Sequence, residues 1–392
     1  MKGAIFLFSG DYYYYFFYNF CTKKFFLGKV LVFKKVLFQK LLPLAAAFGL
    51  LTIYAGCSVD GSSSNNNGNE PETPEVTFTL SEYVKDSEIT VIKTATPIEG
   101  ADYTNAYKGV FIKKRKVTLS PFVMSKYEVT QKLYKEVMDG QKVTIDGTEF
   151  DLEAEPSSFK NNNKLPANEK QEECPVENVT WYDAVYFCNA LSEKMNYTKA
   201  YTITVTTVSS GHITAADVAL VANANGYRLP TEAEWEFAAR GGDTTKPDWN
   251  YTFSGAATAE GVSYSASRNT GLDNVGWYWY NICNGAVTSD EEAYSGNEGY
   301  GTHQVGLKNE NLLGLFDMSG NVWEWCWDWY RSISEETVTD PSGPSSGSDR
   351  VIRGGGWNYG FANDCSVSYR SKSRPGGRDN YYLGFRFCRN AN

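Results

Sequence analysis

The most regular pattern in the chain is an alternation of tryptophan with other residues around position 325. Trp323, Trp325, Trp327 and Trp329 occupy alternate positions, with Glu324, Cys326 and Asp328 between them. Side chains two residues apart point to the same face of a strand, so this spacing predicts a β-strand with an aromatic face. Residues 317–321, Asp-Met-Ser-Gly-Asn, predict a tight turn before it. We interpret the tryptophans as core residues rather than as a ligand platform.

Three segments combine helical spacing of apolar residues with a polar cap. Thr130 precedes a predicted helix over 131–138, and Thr180 precedes another that runs to Lys194. Thr231 and Glu234 form a capping box for a third helix, which Gly241 ends. Cys188 falls on the buried face of the second helix.

The remaining patterns are short and irregular. Alternation predicts strands over 76–80, 89–92, 110–119 and 120–130. We expect a loop-rich insertion over 141–174, short strands with a variable loop over 200–220, and loops around a small sheet over 243–310. Few helices, short strands and long loops predict an α+β fold.

The N-terminal region has a different pattern. Residues 23–40 carry six lysines and residues 41–55 are uncharged and apolar. About 15 apolar residues are too few to span a bilayer comfortably, whereas this order is typical of a secretory signal. Cys57 follows Ala-Gly and resembles the lipidated cysteine of a bacterial lipoprotein signal. An uncleaved membrane anchor is the alternative, and both place the rest of the chain outside the cytoplasm.

Domain boundaries follow from this pattern. Residues 1–56 are a signal segment, of which roughly the first 28 fit neither a signal nor a domain and suggest an over-extended start. Residues 57–75 have almost no apolar content and predict a lipid-anchored flexible linker. One domain covers 76–392. The 392-residue chain has a net charge of −9, so we interpret the basic cluster 113–116 as a solvated strand edge and expect no nucleic-acid binding.

Six cysteines remain once Cys21 is removed and Cys57 is lipidated. An even number in an oxidising compartment favours disulfides, and roughly 15 full pairings are open. None of the six forms a Cys-x-x-Cys pair, so no structural zinc site is expected. The six are Cys174, Cys188, Cys283, Cys326, Cys365 and Cys388.

Five motifs, in order, resemble the sulfatase-modifying factor or formylglycine-generating enzyme family over about residues 90–390. They are Pro175-Val-Glu-Asn-Val-Thr-Trp181, Tyr227-Arg-Leu-Pro-Thr-Glu-Ala-Glu-Trp-Glu236, Ser319-Gly-Asn-Val-Trp-Glu-Trp325, Arg353-Gly-Gly355 and Leu383-Gly-Phe-Arg386. The resemblance implies an irregular, loop-rich α+β fold of C-type-lectin-like topology, stabilised by calcium and disulfides.

The resemblance also implies a test for catalysis. Catalytic members bind copper through two cysteines about five residues apart after Arg-Gly-Gly, and oxidise a substrate cysteine with oxygen. Here Tyr359 stands at the first position, and Cys365 corresponds to the second, one residue late. A phenol does not replace a thiolate, so we do not expect copper or the parent activity. Cys326 could supply the missing sulfur, but a Cys326–Cys365 disulfide is the favoured interpretation.

Further residue roles come from the resemblance alone. The family pairs the cysteines that correspond to Cys188 and Cys388. A calcium site maps onto Asp317, the carbonyls of Met318, Gly320 and Val322, and Glu324, and a second site would begin at Asn274 and Val275. The alternative for Glu324 is a buried carboxylate paired with an arginine such as Arg353.

A further branch of the family resembles iron-dependent sulfoxide synthases, which hold iron with three histidines on an added helical domain. This chain has two histidines, His212 and His303, so the ligand count excludes that activity. We expect each histidine to be a surface or hydrogen-bonding residue.

The expectation is therefore an extracytoplasmic lipoprotein, anchored to a bacterial membrane by its lipid, whose domain is a non-catalytic binding module. Its partner would be a protein, a peptide or a glycan. The alternative is an oxygen-dependent copper-thiolate oxidase, a formylglycine-generating sulfatase-modifying enzyme, that uses Cys326 and Cys365 on an exported protein.

Overall fold

The computed structural model describes residues 79–91, 97–99, 109–256, 268–283, 297–358, 360–378 and 381–391, together with four strands nearer the N-terminus. Two compact units, Met1–Glu75 and Val76–Asn392, divide the chain. Cys57, the predicted linker and Tyr359 lie outside the described residues. Within the described part, no helix has the length and apolar character needed to cross a membrane.

The first unit contains one antiparallel sheet. Its strands are β1 (Lys2–Ser9), β2 (Tyr12–Asn19), β3 (Lys24–Phe25) and β4 (Phe33–Lys34). Strand β2 lies between β1 and β3 and also pairs with β4. The aromatic run over 12–17 therefore belongs to the central strand of this sheet.

The tryptophan segment forms the central strand of the main sheet in the second unit. Strand β13 (Trp323–Trp329) pairs antiparallel with β15 (Arg350–Arg353) and parallel with β17 (Leu383–Gly384), and β16 (Ser371–Ser373) extends the sheet beside β15. The predicted strand is confirmed. Its first four residues are buried on both faces, and beyond them Trp327 and Trp329 are half-buried while Asp328 between them is buried. The expected burial of the tryptophan face alone was therefore wrong.

Two three-stranded sheets flank the domain. Their strands are β5 (Glu88–Val91), β6 (Ile98–Glu99), β7 (Lys116–Thr118), β8 (Phe122–Ser125), β14 (Thr337–Thr339) and β18 (Cys388–Asn390). The orders are β18-β8-β5 and β14-β7-β6. Strand β7 is therefore a central strand, and the prediction of a solvated edge was wrong there. The predicted strand over 76–80 was also wrong at Leu80, which begins a helix.

Two β-hairpins replace segments that were predicted to be loops or short strands. They join β9 (Lys142–Ile145) to β10 (Thr148–Asp151) and β11 (Tyr201–Ser209) to β12 (His212–Leu220). Each turn has two central residues with positive φ, which is 49° and 79° at residues 146 and 147, and 51° and 77° at residues 210 and 211. Such turns match the twist of paired strands.

The helices are α1 (Leu80–Asp86), α2 (Gln131–Met138), α3 (Trp181–Lys194), α4 (Glu232–Ala239) and α5 (Thr270–Val275), with 3₁₀ turns at Gln171–Glu173, Pro247–Asn250 and Ala362–Cys365. The three helices predicted from caps are confirmed. Thr180 and Asp183 form a reciprocal capping box in α3, as Thr231 and Glu234 do in α4. Gly241 follows α4 with φ of 81°.

The buried apolar residues form three clusters. The first packs α2 and α3 against the main sheet and contains Cys188. The second surrounds α4 and contains Cys326 and Cys388. The third consists of residues between 253 and 283, among them Leu272 and Val275 of α5, with residues of 357–365, and it contains Cys365. The loop-dominated region therefore has a core of its own.

Candidate functional site

Glu324 lies on β13 with no exposed surface. Its Oε2 accepts hydrogen bonds from Arg386 Nε at 2.7 Å and from Trp235 Nε1 at 2.8 Å, and its Oε1 accepts one from Arg386 Nη2 at 2.9 Å. This is a bidentate ion pair between a carboxylate and a guanidinium. The alternative of an arginine partner describes Glu324 correctly, although the partner is Arg386 and not Arg353.

Arg353 pairs with a different carboxylate. Its Nη2 lies 2.6 Å from Glu236 Oε2, while Arg240 Nε lies 2.9 Å from Glu236 Oε1. Arg353 also donates to the backbone carbonyls of Val367 and Tyr369. The arginine of the Arg-Gly-Gly motif therefore holds α4 and the segment after β15 together.

Asp317 fits the role of a cation ligand because one of its carboxylate oxygens is buried without a partner. Its Oδ2 accepts a hydrogen bond from the Gly306 amide at 2.8 Å, whereas its Oδ1 is buried without a partner. Burial raises the pKa of Asp317 to about 6. Both oxygens of Glu324 are bound by Arg386, so this carboxylate would have to be shared with a calcium ion. The calcium ligand set stays a prediction.

Glu128 is a buried carboxylate beside this turn that the sequence analysis did not select. It accepts hydrogen bonds from Asn321 Nδ2 at 2.7 Å and from the Val322 amide at 3.0 Å. Burial, with the nearby charges of Asp317 and Glu324, raises its pKa well above the ordinary value. The only signal for Glu128 in the sequence was its position between Tyr127 and Val129 near the end of the predicted strand over 120–130. An acidic residue between two apolar ones is weak evidence for a buried carboxylate.

The second predicted calcium position lies at the end of α5. Asn274 Nδ2 donates to the Thr270 carbonyl at 2.9 Å, and the Asn274 carbonyl accepts from the Asn309 amide at 2.9 Å. Val275 is buried. The ammonium of Lys308 already binds the neighbouring Asp273 carbonyl at 2.8 Å. Among the described residues, no three His, Cys, Asp or Glu side chains are grouped as a metal site.

Cys326 lies in the central strand β13, and Cys365 lies in a 3₁₀ turn of the third core cluster. Each is a buried free thiol, and they belong to different core clusters. Burial raises the pKa of both thiols. Copper(I) prefers soft thiolate ligands, and a raised pKa disfavours the thiolate form. The predicted Cys326–Cys365 disulfide and the alternative copper pair stay predictions.

The other cysteines are also buried free thiols. Cys388 Sγ accepts a hydrogen bond from Arg228 Nη1 at 2.9 Å. Burial raises the pKa of the Cys388 thiol, and Cys188 is near enough to add to that shift. A Cys188–Cys388 pairing therefore stays a prediction for the oxidised protein.

Both histidines form buried hydrogen bonds. His212 Nδ1 lies 2.7 Å from Asp183 Oδ2, and His303 Nδ1 lies 2.9 Å from Glu169 Oε1. His303 stacks on Trp277 at 3.8 Å between ring centroids. Of the two expected alternatives, a surface or a hydrogen-bonding residue, both histidines are hydrogen-bonding residues, and both are buried.

Five aromatic side chains gather beside Cys365, and we call this cluster the aromatic face. Its members are Phe159, Tyr300, Trp357, Tyr381 and Tyr382. The Trp357 ring lies 5.4 Å from Phe159, 4.9 Å from Tyr300 and 5.7 Å from Tyr381. Trp357 is fully buried, whereas Tyr381 is 42% exposed. The face therefore combines a rigid base with an accessible ring.

The surroundings of the aromatic face contain buried polar atoms without hydrogen-bond partners. They are Thr252 Oγ1, Asn358 Oδ1, Asp364 Oδ1 and Ser366 Oγ. Burial raises the pKa of Asp364 to about 6. Buried polar atoms usually have partners, so these atoms indicate a place for ordered water or a ligand.

Glycine is required where this face meets Cys365. Gly355 has φ of 77°, and a Cβ added there would lie 2.6 Å from Cys365 Sγ. A side chain at this position would therefore collide with the thiol as well as strain the backbone.

A model of the sulfatase-modifying factor enzyme 1-like domain matches residues 86–391. The chain belongs to this family. The resemblance inferred from the five motifs is thus confirmed, as is the loop-rich α+β fold that it implied.

Two curated relatives and one solved structure illustrate the range of this sulfatase-modifying factor family. The chain is 38% identical over 265 residues to the chaperone protein LppX of Paenibacillus barcinonensis, which covers 66% of this chain and 76% of the relative. It is 34% identical over 184 residues to the formylglycine-generating enzyme of Streptomyces coelicolor. That match covers 46% of this chain and 52% of the enzyme, so the chain spans about half of the enzyme's length.

The solved structure is Treponema denticola variable protein 1. It superposes with a TM-score of 0.57 at 32% identity, over 78% of this chain and 95% of that one. The fold of the chain is therefore similar to that of a solved protein over nearly all of that protein's length.

Proposed function

We propose that this protein is an extracytoplasmic binding module, anchored by lipid at Cys57, that contacts a peptide or an extended protein segment through the aromatic face and lacks formylglycine-generating activity. The observation that carries the proposal is Tyr359, which stands at one of the two positions where the family binds copper through cysteine. Burial of the Cys326 and Cys365 thiols, which raises the pKa of both, supports the same conclusion.

The chemistry of the aromatic face supports a polypeptide partner. Tyrosine and tryptophan offer large contact areas with few rotatable bonds, so they lose little entropy on binding. The unpaired atoms Asn358 Oδ1 and Asp364 Oδ1 add acceptors for backbone amides. LppX, 38% identical to this chain, carries the name of a chaperone protein, and a chaperone contacts polypeptide. A glycan is the alternative ligand.

Selection of a displayed random peptide library against the full-length chain tests this proposal, with a glycan array probed in parallel. We expect peptides to be enriched, and Tyr381→Ala to weaken their binding about tenfold or more, since exposed tyrosines are frequent hot spots. Leu312→Ala is the matched control, because Leu312 is 50% exposed and lies outside the aromatic face. The proposal would be overturned if Tyr381→Ala bound the peptides as tightly as the wild type, or if the protein bound glycans and no peptides.

The anchor is a separate part of the proposal. We expect mass spectrometry of the protein from membranes to find Cys57 as a diacylated N-terminus, and Cys57→Ala to leave the membrane fraction. A wild-type protein that retains residues 41–56 would instead indicate an uncleaved anchor.

The third part of the proposal is a structural calcium ion bound at the turn that contains Asp317. Asp317 Oδ1 and the carbonyls of Met318, Gly320 and Val322 would hold it, without Glu324. Calcium prefers such oxygen ligands. Ligand at about a hundred times its Kd adds about 2.7 kcal/mol of stability. We expect calcium to raise the melting temperature of the wild type and not of Asp317→Asn; no shift with calcium or a chelator would contradict this.

The rival function is an oxygen-dependent copper-thiolate oxidase. The 34% identity to the formylglycine-generating enzyme of Streptomyces coelicolor favours it. It requires the thiols of Cys326 and Cys365 to meet, so Cys326→Ser should abolish oxygen consumption if this function is correct.

A further inference from the structure

Arg115 does not follow the pattern of its neighbours. Lys113, Lys114 and Lys116 are exposed, whereas Arg115 keeps only 5% of its surface accessible. The backbone turns at Lys114, where φ is 66°, and the Arg115 amide donates to the Ile112 carbonyl at 3.1 Å. This turn directs one of four consecutive basic side chains into the protein.

The Arg115 guanidinium forms no ion pair with the described residues, although the charges of Glu336 and Glu232 favour its charged form. Its Nε is buried without a hydrogen bond, and no ion pair joins it to any residue that the structure describes. Arg353 Nε is also buried without a hydrogen bond, but Arg353 pairs with Glu236 through Nη2, and Arg386 pairs with Glu324. Burial lowers the pKa of Arg115, as expected for a charge removed from water. A buried unpaired guanidinium destabilises the fold, so its presence requires an explanation.

Arg115 lines a cavity of about 400 Å³. The space is enough for about a dozen water molecules at roughly 30 Å³ each. The exposed Arg331 adds a second cation to the lining, and Ser332, Ser342 and Thr339 add hydroxyl groups. The cavity can therefore hold a small polar group rather than a single water.

The acidic residues of the cavity favour the Arg115 charge from a distance, but among the described residues none forms an ion pair with it. Glu232 binds Arg370 in a bidentate pair of 2.5 and 2.7 Å. Asp328 Oδ2 accepts from the Glu232 amide at 2.9 Å. Burial and the charge of Glu232 raise the pKa of Asp328 to about 8, so at neutral pH its carboxyl group is mostly protonated and can donate a hydrogen bond.

Two further acids are exposed and have local partners. Glu336 accepts from Ser334 Oγ at 2.8 Å, and Asp340 accepts from the Ser120 amide at 2.6 Å. Neither makes an ion pair with Arg115. Their charges, with that of Glu232, disfavour a doubly charged anion more than a singly charged one.

We propose that this cavity binds the carboxylate of an acidic ligand, with the Arg115 guanidinium as its principal donor. The planar fork of arginine matches the two oxygens of a carboxylate. Arg331 supplies a second positive charge. The carboxylate belongs either to a small organic acid or to the C-terminus of a peptide, which present the same chemistry to Arg115.

Calorimetry on the full-length chain tests the proposal with N-acetylglycine, its neutral amide and inorganic phosphate. We expect N-acetylglycine to bind and its amide not to bind. Comparing a tripeptide with its C-terminal amide distinguishes a peptide C-terminus from a small organic acid. If the tripeptide binds more tightly than N-acetylglycine and its amide does not bind, the ligand is a peptide C-terminus. No binding of N-acetylglycine up to about 10 mM, or tighter binding of phosphate, would overturn the proposal.

Two variants separate ligand binding from a structural role. Arg115→Met should lose binding about tenfold or more, while its melting temperature stays the same or rises, because an unpaired buried charge is removed. Arg115→Lys keeps the charge but not the fork and should bind several-fold more weakly than the wild type. Lys114→Met is the matched control, since it removes an exposed neighbouring charge and should bind normally. A lower melting temperature for Arg115→Met with unchanged binding would contradict the assignment.

Discussion

The ion-pair centre around Glu324 and the aromatic face around Trp357 differ in how completely their polar atoms are paired. Both Glu324 oxygens are bonded to Arg386, and Arg353 is held by Glu236 through Nη2, although its Nε has no hydrogen-bond partner. Near Trp357, buried oxygens of Asn358 and other residues have no partner. Complete pairing stabilises a fold, whereas unpaired buried atoms need water or a ligand. The family motifs therefore identify the scaffold, and binding is expected at the neighbouring face.

The largest expected change in the free energy of unfolding comes from disrupting the Glu324–Arg386 ion pair. Glu324→Gln leaves the Arg386 guanidinium buried without a countercharge, so the free energy of unfolding should fall by about 3–5 kcal/mol. Urea denaturation measures this. Lys114→Ala removes one partner of the exposed Lys114–Glu335 pair and should cost under about 1 kcal/mol. Equal effects of the two substitutions would contradict the contrast.

The junction of the two regions gives a smaller effect. Gly355→Ala adds a Cβ that would lie 2.6 Å from Cys365 Sγ at a φ of 77°. We expect a loss of about 2–4 kcal/mol from strain and overpacking together. Gly140→Ala is the control, because Gly140 has φ of 72° and no atom within 4 Å of the added Cβ. It should cost only the backbone strain, about 1–2 kcal/mol.

A pH series sharpens the difference between paired and unpaired carboxyl groups. The pKa of Asp328 rises from 3.8 to about 8 in the fold. A raised carboxyl pKa stabilises the fold below the unfolded pKa, and this stability is lost as the pH rises through about 8. The slope is at most about 1.4 kcal/mol per pH unit. Unfolding free energies from pH 4 to 9 should decline less for Asp328→Asn than for the wild type. The exposed Asp146→Asn should leave the decline unchanged.

The smallest effect on stability belongs to the aromatic face. Tyr381 is 42% exposed, so Tyr381→Ala should change the free energy of unfolding by about 0.5 kcal/mol or less while it weakens ligand binding. Thermal denaturation beside the binding assay measures both. A stability loss similar to that of Gly355→Ala would indicate that Tyr381 is a packing residue instead.

Local signals in the sequence predicted local structure well. The caps Thr130, Thr180 and Thr231 fixed three helix starts because a cap depends on residues only three positions away. The tryptophan alternation predicted β13 for the same reason. The long hairpin of β11 and β12 was missed because its turn, Ser210-Gly211, carries a weaker signal than Asn-Gly.

Partners distant in sequence could not be predicted. Glu324 pairs with Arg386 rather than Arg353, although both arginines lie in recognisable motifs. Arg115 is buried although its basic neighbours are exposed, because the backbone turns at Lys114, where φ is positive, and directs the Arg115 side chain into the protein. The core cluster that Cys326 or Cys365 joins likewise depends on long-range packing, which the composition does not determine.

Oxygen consumption with copper(I) and a cysteine-containing sulfatase peptide tests the central claim most directly. The account predicts no copper(I) bound to the full-length chain by Cys326 and Cys365, and no oxygen uptake above that of copper and peptide alone. Stoichiometric copper(I) binding that Cys326→Ser and Cys365→Ser each abolish, together with conversion of the peptide cysteine to formylglycine, would contradict it.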